Sequence, residues 1–176
     1  LSISHFVPQP HTPFQWEAFD GIDSLREKIQ RIKKQIPPKI KFNWHDPEVS
    51  LMEAIFSRGD RLLSPVILEA FRAGARFDSW SDYFKFDIWK QVFEKMNIVI
   101  HDYCGEKSIT EYLPWEIADP GVNREYLLQE RENSKSARLT GDCRIDDCFS
   151  CGVCSSSLTH ISSNKYSKTT DRAFQR

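Results

Sequence analysis

Apolar positions recur along the chain in two periods, and the period changes with position. Residues 1–7 carry apolar side chains in an extended order and stop at Pro8, which predicts a short strand. From about residue 23 to 36, apolar side chains fall every three or four residues, and a Pro-Pro pair follows, which predicts an amphipathic helix that ends there. Residues 39–44 alternate again, as is typical of a strand. The order strand, helix, strand predicts one βαβ unit of a parallel sheet.

Beyond this unit the pattern is helical. Asp46-Pro47 places an N-cap before a proline at the first helical position, and a further helix begins near Asp60. Another helix carries Trp89 on its apolar face, and a last one is predicted over about 122–134. Residues 155–176 are rich in Ser, Thr and Lys, which predicts a disordered tail. The predicted fold class is therefore α/β, with helices dominating.

Three features in the middle of the chain have structural interpretations. Aromatic side chains crowd between residues 77 and 89 without the alternation of a nucleic-acid stacking platform, so we predict that they pack in the core. Arg58 and Arg61 flank a tight turn around Gly59, whose predicted role is a left-handed helix cap, and the two arginines could hold an anion. The isolated Cys104 is predicted to be a small buried hydrophobic residue.

Composition excludes several classes of protein. The 176 residues carry a net charge of −1, which gives no general attraction to nucleic acid or to an anionic membrane. No apolar run approaches the roughly 20 residues of a membrane span. The chain opens at Leu1 directly into an apolar segment, so we expect it to begin inside the fold of a larger protein. Because no secretory leader is evident, we expect the protein to be cytoplasmic.

The most specific chemical signal is a group of four cysteines within twelve residues, spaced C-x4-C-x2-C-x2-C. Thiolates at such short spacings can turn toward one point and bind a tetrahedral zinc or an iron–sulfur cluster, and the first three match the plant-type ferredoxin spacing. A disulfide pair is the alternative, but Cys104 would then be left over. We therefore predict a metal centre. Its ligands are Cys143, Cys148, Cys151 and Cys154.

Six motifs, in order, resemble the C-terminal half of radical S-adenosylmethionine (SAM) proteins. The likeness covers residues 1–154 and is to uncharacterised members that carry an N-terminal cobalamin-binding-like domain. Together the six motifs are specific at the level of the family. They are FVPQPHTPFQWE at 6–17, WHDP at 44–47, SRGDR at 57–61, GARFDSW at 74–80, LPW at 113–115, and the cysteine segment at 142–154.

The resemblance implies a division of the chain and a cofactor. Residues 1–44 would be the end of a partial (β/α)6 barrel, 45–140 a helical appendage, and 141–154 the cysteine site. The first strand would be the last of the barrel. Its residues Phe6, Val7 and Pro8 would line the SAM site.

This chain departs from the family in one respect. Radical SAM barrels bind their catalytic [4Fe–4S] cluster through a C-x3-C-x2-C loop, and no such loop occurs here. We therefore assign no catalytic residue and expect no activity from the chain alone. Its implied partner is the missing N-terminal part of the same enzyme. The full-length protein would bind SAM, and cobalamin is a further candidate cofactor. Nucleic acid would be a partner only as a substrate that the full-length protein modifies.

The C-terminal cysteines would then hold an auxiliary [4Fe–4S] cluster or a zinc ion. The alternative function is a helical binding module with a structural zinc knuckle. In that case the basic helix at residues 26–41 would contact RNA.

Overall fold

The computed structural model describes residues 1–146 and 148–155. Contacts divide these residues into two units. The first contains Leu1–Pro10 and Gln15–Trp115, and the second contains His11–Phe14 and the described residues from Glu116 onward. The predicted boundaries at residues 44 and 140 rest on the family resemblance and stay predictions. Apart from its first residue, the predicted disordered tail lies outside the described residues.

The first unit opens with the predicted βαβ arrangement. Strand β1 is Ser2–Ile3, helix α1 is Ile22–Gln35, and strand β2 is Asn43–Trp44. The strands are parallel, with Ser2 opposite Asn43 and Ile3 opposite Trp44, so the parallel pairing is confirmed. Both strands are shorter than predicted. One reason is a turn before β2, in which the amide of Ile40 donates to the carbonyl of Pro37 at 2.9 Å.

Four more helices build the rest of the first unit. They are α2 Pro47–Ser57, α3 Leu63–Arg72, α4 Phe86–Lys95 and α5 Ile100–Cys104. Asp46 caps α2 as predicted, because its carboxylate accepts the amide of Glu48 at 2.9 Å. Helix α1 packs on α2, α2 on α5, and α3 on α4. The shared core of these helices includes Leu25, Leu51, Ile55, Leu63, Val66, Val92 and Phe93. A helix-dominated fold with a small parallel sheet is thus confirmed, and its identity as the end of a barrel stays a prediction.

Arg58 lies in the interior, and its predicted role in binding an anion is wrong. Only 1% of this residue is exposed, and its guanidinium donates to the carbonyls of Cys104 at 3.3 Å and Gly105 at 2.9 Å. The neighbouring Gly59 is also not a left-handed cap. A Cβ on Gly59 would lie 2.9 Å from the carbonyl oxygen of Ile55, so close packing is the reason for glycine at this position.

Three of the aromatic side chains predicted to pack in the core lie instead on the surface. Phe77, Trp80 and Tyr83 are 70%, 66% and 58% exposed, whereas Trp89 on α4 is buried as predicted. Phe77 has a φ of +58°, which is uncommon for a bulky residue. A turn from Phe77 to Phe84 directs these rings away from the helices, and its amides bond within the turn. The prediction holds for Trp89 and Phe86 on α4 and for Phe84 just before it, which lie in or against the core.

The loop before α1 is fixed by contacts far along the chain. The indole of Trp115 donates to the side-chain oxygen of buried Gln15 at 2.7 Å, across 100 residues of sequence. The amide of Phe19 donates to the carbonyl of Cys104 at 2.8 Å. Cys104 is buried as predicted, and burial raises the pKa of its thiol to about 11. The segment that contains Phe19 therefore closes over the end of α5.

The second unit contains helix α6, Arg124–Lys135, close to the predicted span of 122–134. A 3-10 helix at Pro114–Ile117 precedes it, and another at Val153–Ser155 ends the described chain. Among the described residues of this unit, Leu127 is the only apolar side chain less than a tenth exposed. The hydrophobic core of the unit is thus very small. Among all described residues, no helix has the length and apolarity that crossing a membrane requires.

Candidate metal centre

Helix α6 presents one face to the cysteine segment. Asn123 precedes the first helical residue with extended backbone angles, so it is the N-cap. Residues at helical spacings of three, four and seven from Asn123 lie on the same face. They are Tyr126, Leu127 and Glu130. The cysteine segment is attached to this face at two points.

The first attachment joins Asn123 to the C-terminal half of the segment. The amide of Asn123 donates to the carbonyl of Cys151 at 2.7 Å, and its side-chain amide donates to the carbonyl of Ser150 at 3.1 Å. Gly152 follows with a φ of +97°, and a Cβ there would lie 2.5 Å from the side-chain oxygen of Asn123. Glycine is therefore required both by the backbone angle and by the space.

The second attachment fixes the chain just before Cys143. The hydroxyl of Thr140 donates to the carboxylate of Glu130 at 2.6 Å and accepts the side-chain amide of Asn133 at 3.4 Å. Both bonds connect to α6. The two ends of the cysteine segment are thus held by one helix.

Between the attachments, residues 142–146 form a turn. The carbonyl of Asp142 accepts the amides of Ile145 at 2.9 Å and Asp146 at 2.7 Å. Hydrogen bonds from the Arg144 side chain and backbone hold the pKa of the Asp142 carboxyl down at about 2. Asp142 is therefore ionised at neutral pH and forms an ion pair with Arg144 across Cys143.

The local conformation at Cys148 suits a thiolate. The amide of Ser150 donates to the sulfur of Cys148 at 3.4 Å, and Ser150 has a φ of +53°. An amide directed at sulfur stabilises the negative charge that a metal-binding thiolate carries. Cys148 is exposed, whereas Cys143, Cys151 and Cys154 are partly buried, and all four are free thiols.

The structure does not bring the four sulfurs into one coordination group. Over residues 1–146 and 148–155, no three side chains of His, Cys, Asp or Glu lie in an arrangement that could hold a metal ion. The donor types and the turn at Cys148 fit a thiolate-bound metal. The four-cysteine ligand set therefore stays a prediction, for the metal-loaded protein.

The predicted SAM-lining residues lie in the first unit and differ in exposure. Phe6 is half exposed and lines a cavity of about 460 Å³, together with Ile3, His5 and Lys28. Val7 packs against the hydrophobic core, and Pro8 is fully buried. Of the three, only Phe6 contributes to this cavity. Their role as a wall of the SAM site stays a prediction.

Comparisons with protein-family models, with curated proteins and with solved structures give no match. The resemblance to radical SAM proteins therefore rests on the six motifs.

A polar cluster that sequence reasoning missed lies where the two parallel strands end. His5 lies two residues after β1 and His45 lies directly after β2, so the parallel pairing brings the two histidines near each other. The Nδ1 of His5 lies 2.9 Å from the hydroxyl of Ser50, which itself donates to the carbonyl of Asp46. Since Ser50 donates elsewhere, His5 donates from Nδ1, and its buried Nε2 has no partner among the described residues. The available signal was a histidine near the end of the first predicted strand and another directly after the second.

This cluster predicts a dependence of stability on pH. Burial, with a smaller contribution from His45, lowers the pKa of His5, and the Asp46 carboxylate opposes the shift. The unfolded chain therefore binds more protons than the folded chain below about pH 6.5, and the free energy of unfolding should fall as the pH drops through that value. His5→Gln should reduce this slope in urea melts recorded at several pH values. A variant slope equal to that of the wild type would contradict the prediction, and His101→Gln, on an exposed residue, is the control.

Proposed function

We propose that the C-terminal segment of this chain is a four-thiolate metal-binding module, carried on α6, in the C-terminal portion of a radical SAM enzyme. The observation that carries the metal site is the double attachment of the cysteine segment to α6. Asn123 holds the turn at Ser150 and Cys151, and Glu130 holds Thr140. A segment that is anchored at both ends loses less conformational entropy when its thiolates close on a metal.

The small core of the second unit supports the same proposal. Below about 70 residues a single hydrophobic core rarely supplies more than about 3–5 kcal/mol, and small natural units often add disulfides, a structural metal or oligomerisation. Leu127 alone, among the described residues of this unit, has the burial of a core side chain. Its cysteines are free thiols. A bound metal would supply the missing free energy, since metal binding and folding are coupled in such units.

The chemistry depends on which metal occupies the site. Zinc would only hold the fold together, whereas an iron–sulfur cluster could also relay an electron. The four sulfurs would be the ligands. The amide of Ser150 would stabilise the Cys148 thiolate, and Asn123 would hold the turn that carries Cys151. Four protein ligands leave no open coordination position, so this site would not bind SAM.

Metal loading tests the proposal. We expect the chain to take up about one zinc, or about four irons with brown absorbance after anaerobic reconstitution with iron and sulfide. Elemental analysis and visible spectra of the desalted protein measure both. A protein that binds neither would contradict the metal site. Formation of 5′-deoxyadenosine by the iron-loaded chain with SAM and dithionite would contradict the four-thiolate assignment, because SAM needs an open iron.

The enzyme context has its own test. If the chain belongs with a radical SAM barrel, the coding sequence upstream of Leu1 should encode C-x3-C-x2-C in the same reading frame. An upstream frame without it, and without a separate gene that encodes it nearby, would leave the metal module but remove the radical SAM assignment.

The RNA-binding alternative is less well supported. Two of the basic side chains on α1 are already paired, Arg26 with Glu48 and Lys28 with Asp20, and Lys33 lies over the ring of Trp44 at 5.4 Å. Phosphate binding relies on cationic groups that can replace counterions on the nucleic acid. Because these side chains are paired within the protein, α1 has less positive charge with which to bind the phosphates of RNA.

A further inference from the structure

A cleft of about 810 Å³ lies in the first unit. It is bounded by α1, by the end of β2, by the first residues of α2 and by the residues around the start of α4. Sites for small molecules usually measure about 300–1,000 Å³, so this cleft has a suitable size. The residues that line it include none of the predicted metal ligands and none of the predicted SAM-lining residues.

The apolar side chains that line the cleft are fixed by packing. Ile29 on α1 is buried, and Phe84, Phe86 and Ile88 pack against the hydrophobic core. The ring centroids of Phe84 and Phe86 lie 6.3 Å apart. Trp44 at the end of β2 is 40% exposed and also lines the cleft. An apolar ligand would therefore meet an aromatic surface that is already formed.

The charged side chains of the cleft are unequal in sign. Its carboxylates are Asp46, Glu48 and Asp87, and its cations are Arg26 and Lys85. Arg26 is paired with Glu48, which leaves two carboxylates against the single ammonium of Lys85. Hydrogen bonds, first of all that with the Glu48 side chain, lower the pKa of Asp46, so this carboxyl is ionised at neutral pH. The cleft therefore combines aromatic rings with an excess of negative charge.

One aromatic ring of the cleft already attracts a cation from within the protein. The ammonium nitrogen of Lys33 lies 5.4 Å from the centroid of the Trp44 ring. The face of an indole attracts an ammonium ion electrostatically, and the attraction is stronger when the cation is removed from water. A cation inside the cleft would have this ring and two carboxylates as neighbours.

We propose that this cleft binds a small organic ammonium ion with an apolar body. The ring of Trp44 and the carboxylates of Asp46 and Asp87 stabilise its charge, and its body packs on Phe84 and Phe86. This site lies in the first unit and does not depend on the proposed metal-binding function of the second.

Two probes of the same shape test the role of charge. Phenyltrimethylammonium carries the cation, and tert-butylbenzene replaces its nitrogen with carbon and is neutral. In ¹H–¹⁵N spectra of the full chain, we expect the ammonium probe to shift the indole resonance of Trp44 and to leave the other four tryptophan indoles in place. The neutral probe should bind at least about 3-fold more weakly, because it lacks the attraction to the ring and to the carboxylates.

Variants locate the site. Trp44→Leu and Asp87→Asn should each weaken binding of phenyltrimethylammonium by about 3- to 10-fold. Trp80→Leu and Asp82→Asn make the same changes on exposed residues that do not line the cleft, and they should leave the affinity unchanged. Circular dichroism checks that the variants fold alike.

Three results would overturn the proposal. They are an unshifted Trp44 indole, equal binding of the two probes, and equal losses of affinity in the cleft variants and their controls. The comparison of the two probes uses the wild type, so it decides the matter even if a variant fails to fold.

Discussion

Replacing Cys151 with serine is expected to abolish tight metal binding and to unfold the C-terminal unit. A serine hydroxyl stays protonated at neutral pH and is a poor ligand for zinc or iron. The loss in affinity should exceed the 10- to 100-fold cost of removing a group that only orients a ligand. Because the described part of this unit has little hydrophobic core, loss of the metal should also reduce its amide protection in hydrogen exchange.

The same substitution at Cys104 is the matched control. Cys104 is buried in the first unit, beneath the loop that contains Phe19. Cys104→Ser should lower stability modestly through its buried hydroxyl and leave the metal stoichiometry unchanged. If Cys151→Ser bound zinc or cobalt as tightly as the Cys104 variant, Cys151 could not be a ligand.

Replacing Arg58 with alanine is expected to lower the free energy of unfolding of the first unit by about 2–5 kcal/mol. Arg58 is almost fully buried, and the carbonyl of Gly105 would lose the donor that lies 2.9 Å away. The carbonyl of Cys104 would keep the amide of Phe19, so the larger hydrogen-bond loss falls on Gly105. The rest of the effect comes from the cavity left by the arginine stem.

Arg61→Ala removes the same charge three residues away, from an exposed side chain, and should change stability by less than about 0.5 kcal/mol. Arg58→Lys should fall between the two, because a point charge on a flexible stem cannot bridge two carbonyls as a guanidinium does. Urea denaturation followed by tryptophan fluorescence measures all three variants. Equal midpoints for Arg58→Ala and Arg61→Ala would show that the buried contacts contribute nothing.

Local signals explain which elements could be predicted from the sequence. The Pro-Pro pair ended α1 where expected, and the Asp46-Pro47 dipeptide began α2 with the predicted cap. The βαβ order led to the parallel pairing of β1 and β2. These features depend on residues that are close in sequence, so a single sequence contains the information.

The incorrect predictions depend on distant partners. Arg58 was predicted to flank a turn where it could hold an anion, and only the carbonyls at the end of α5 explain its burial. The attachment of the cysteine segment to α6 also joins residues far apart, such as Asn123 and Cys151. Helix α5 was missed because one turn and a half has too few residues to show a period.

The hydrogen bond between Gln15 and Trp115 has a consequence for synthesis of the protein. A ribosome that adds about 5–20 residues per second needs roughly 5–20 s to make the 100 residues between them. Trp16 is fully buried in the folded protein, and its backbone carbonyl accepts the amide of Lys107. That amide is also synthesised long after Trp16, so this bond forms with a similar delay. Throughout that interval an aromatic, proline-flanked segment is available to chaperones. Closure of this loop is therefore a late event in the folding of the first unit.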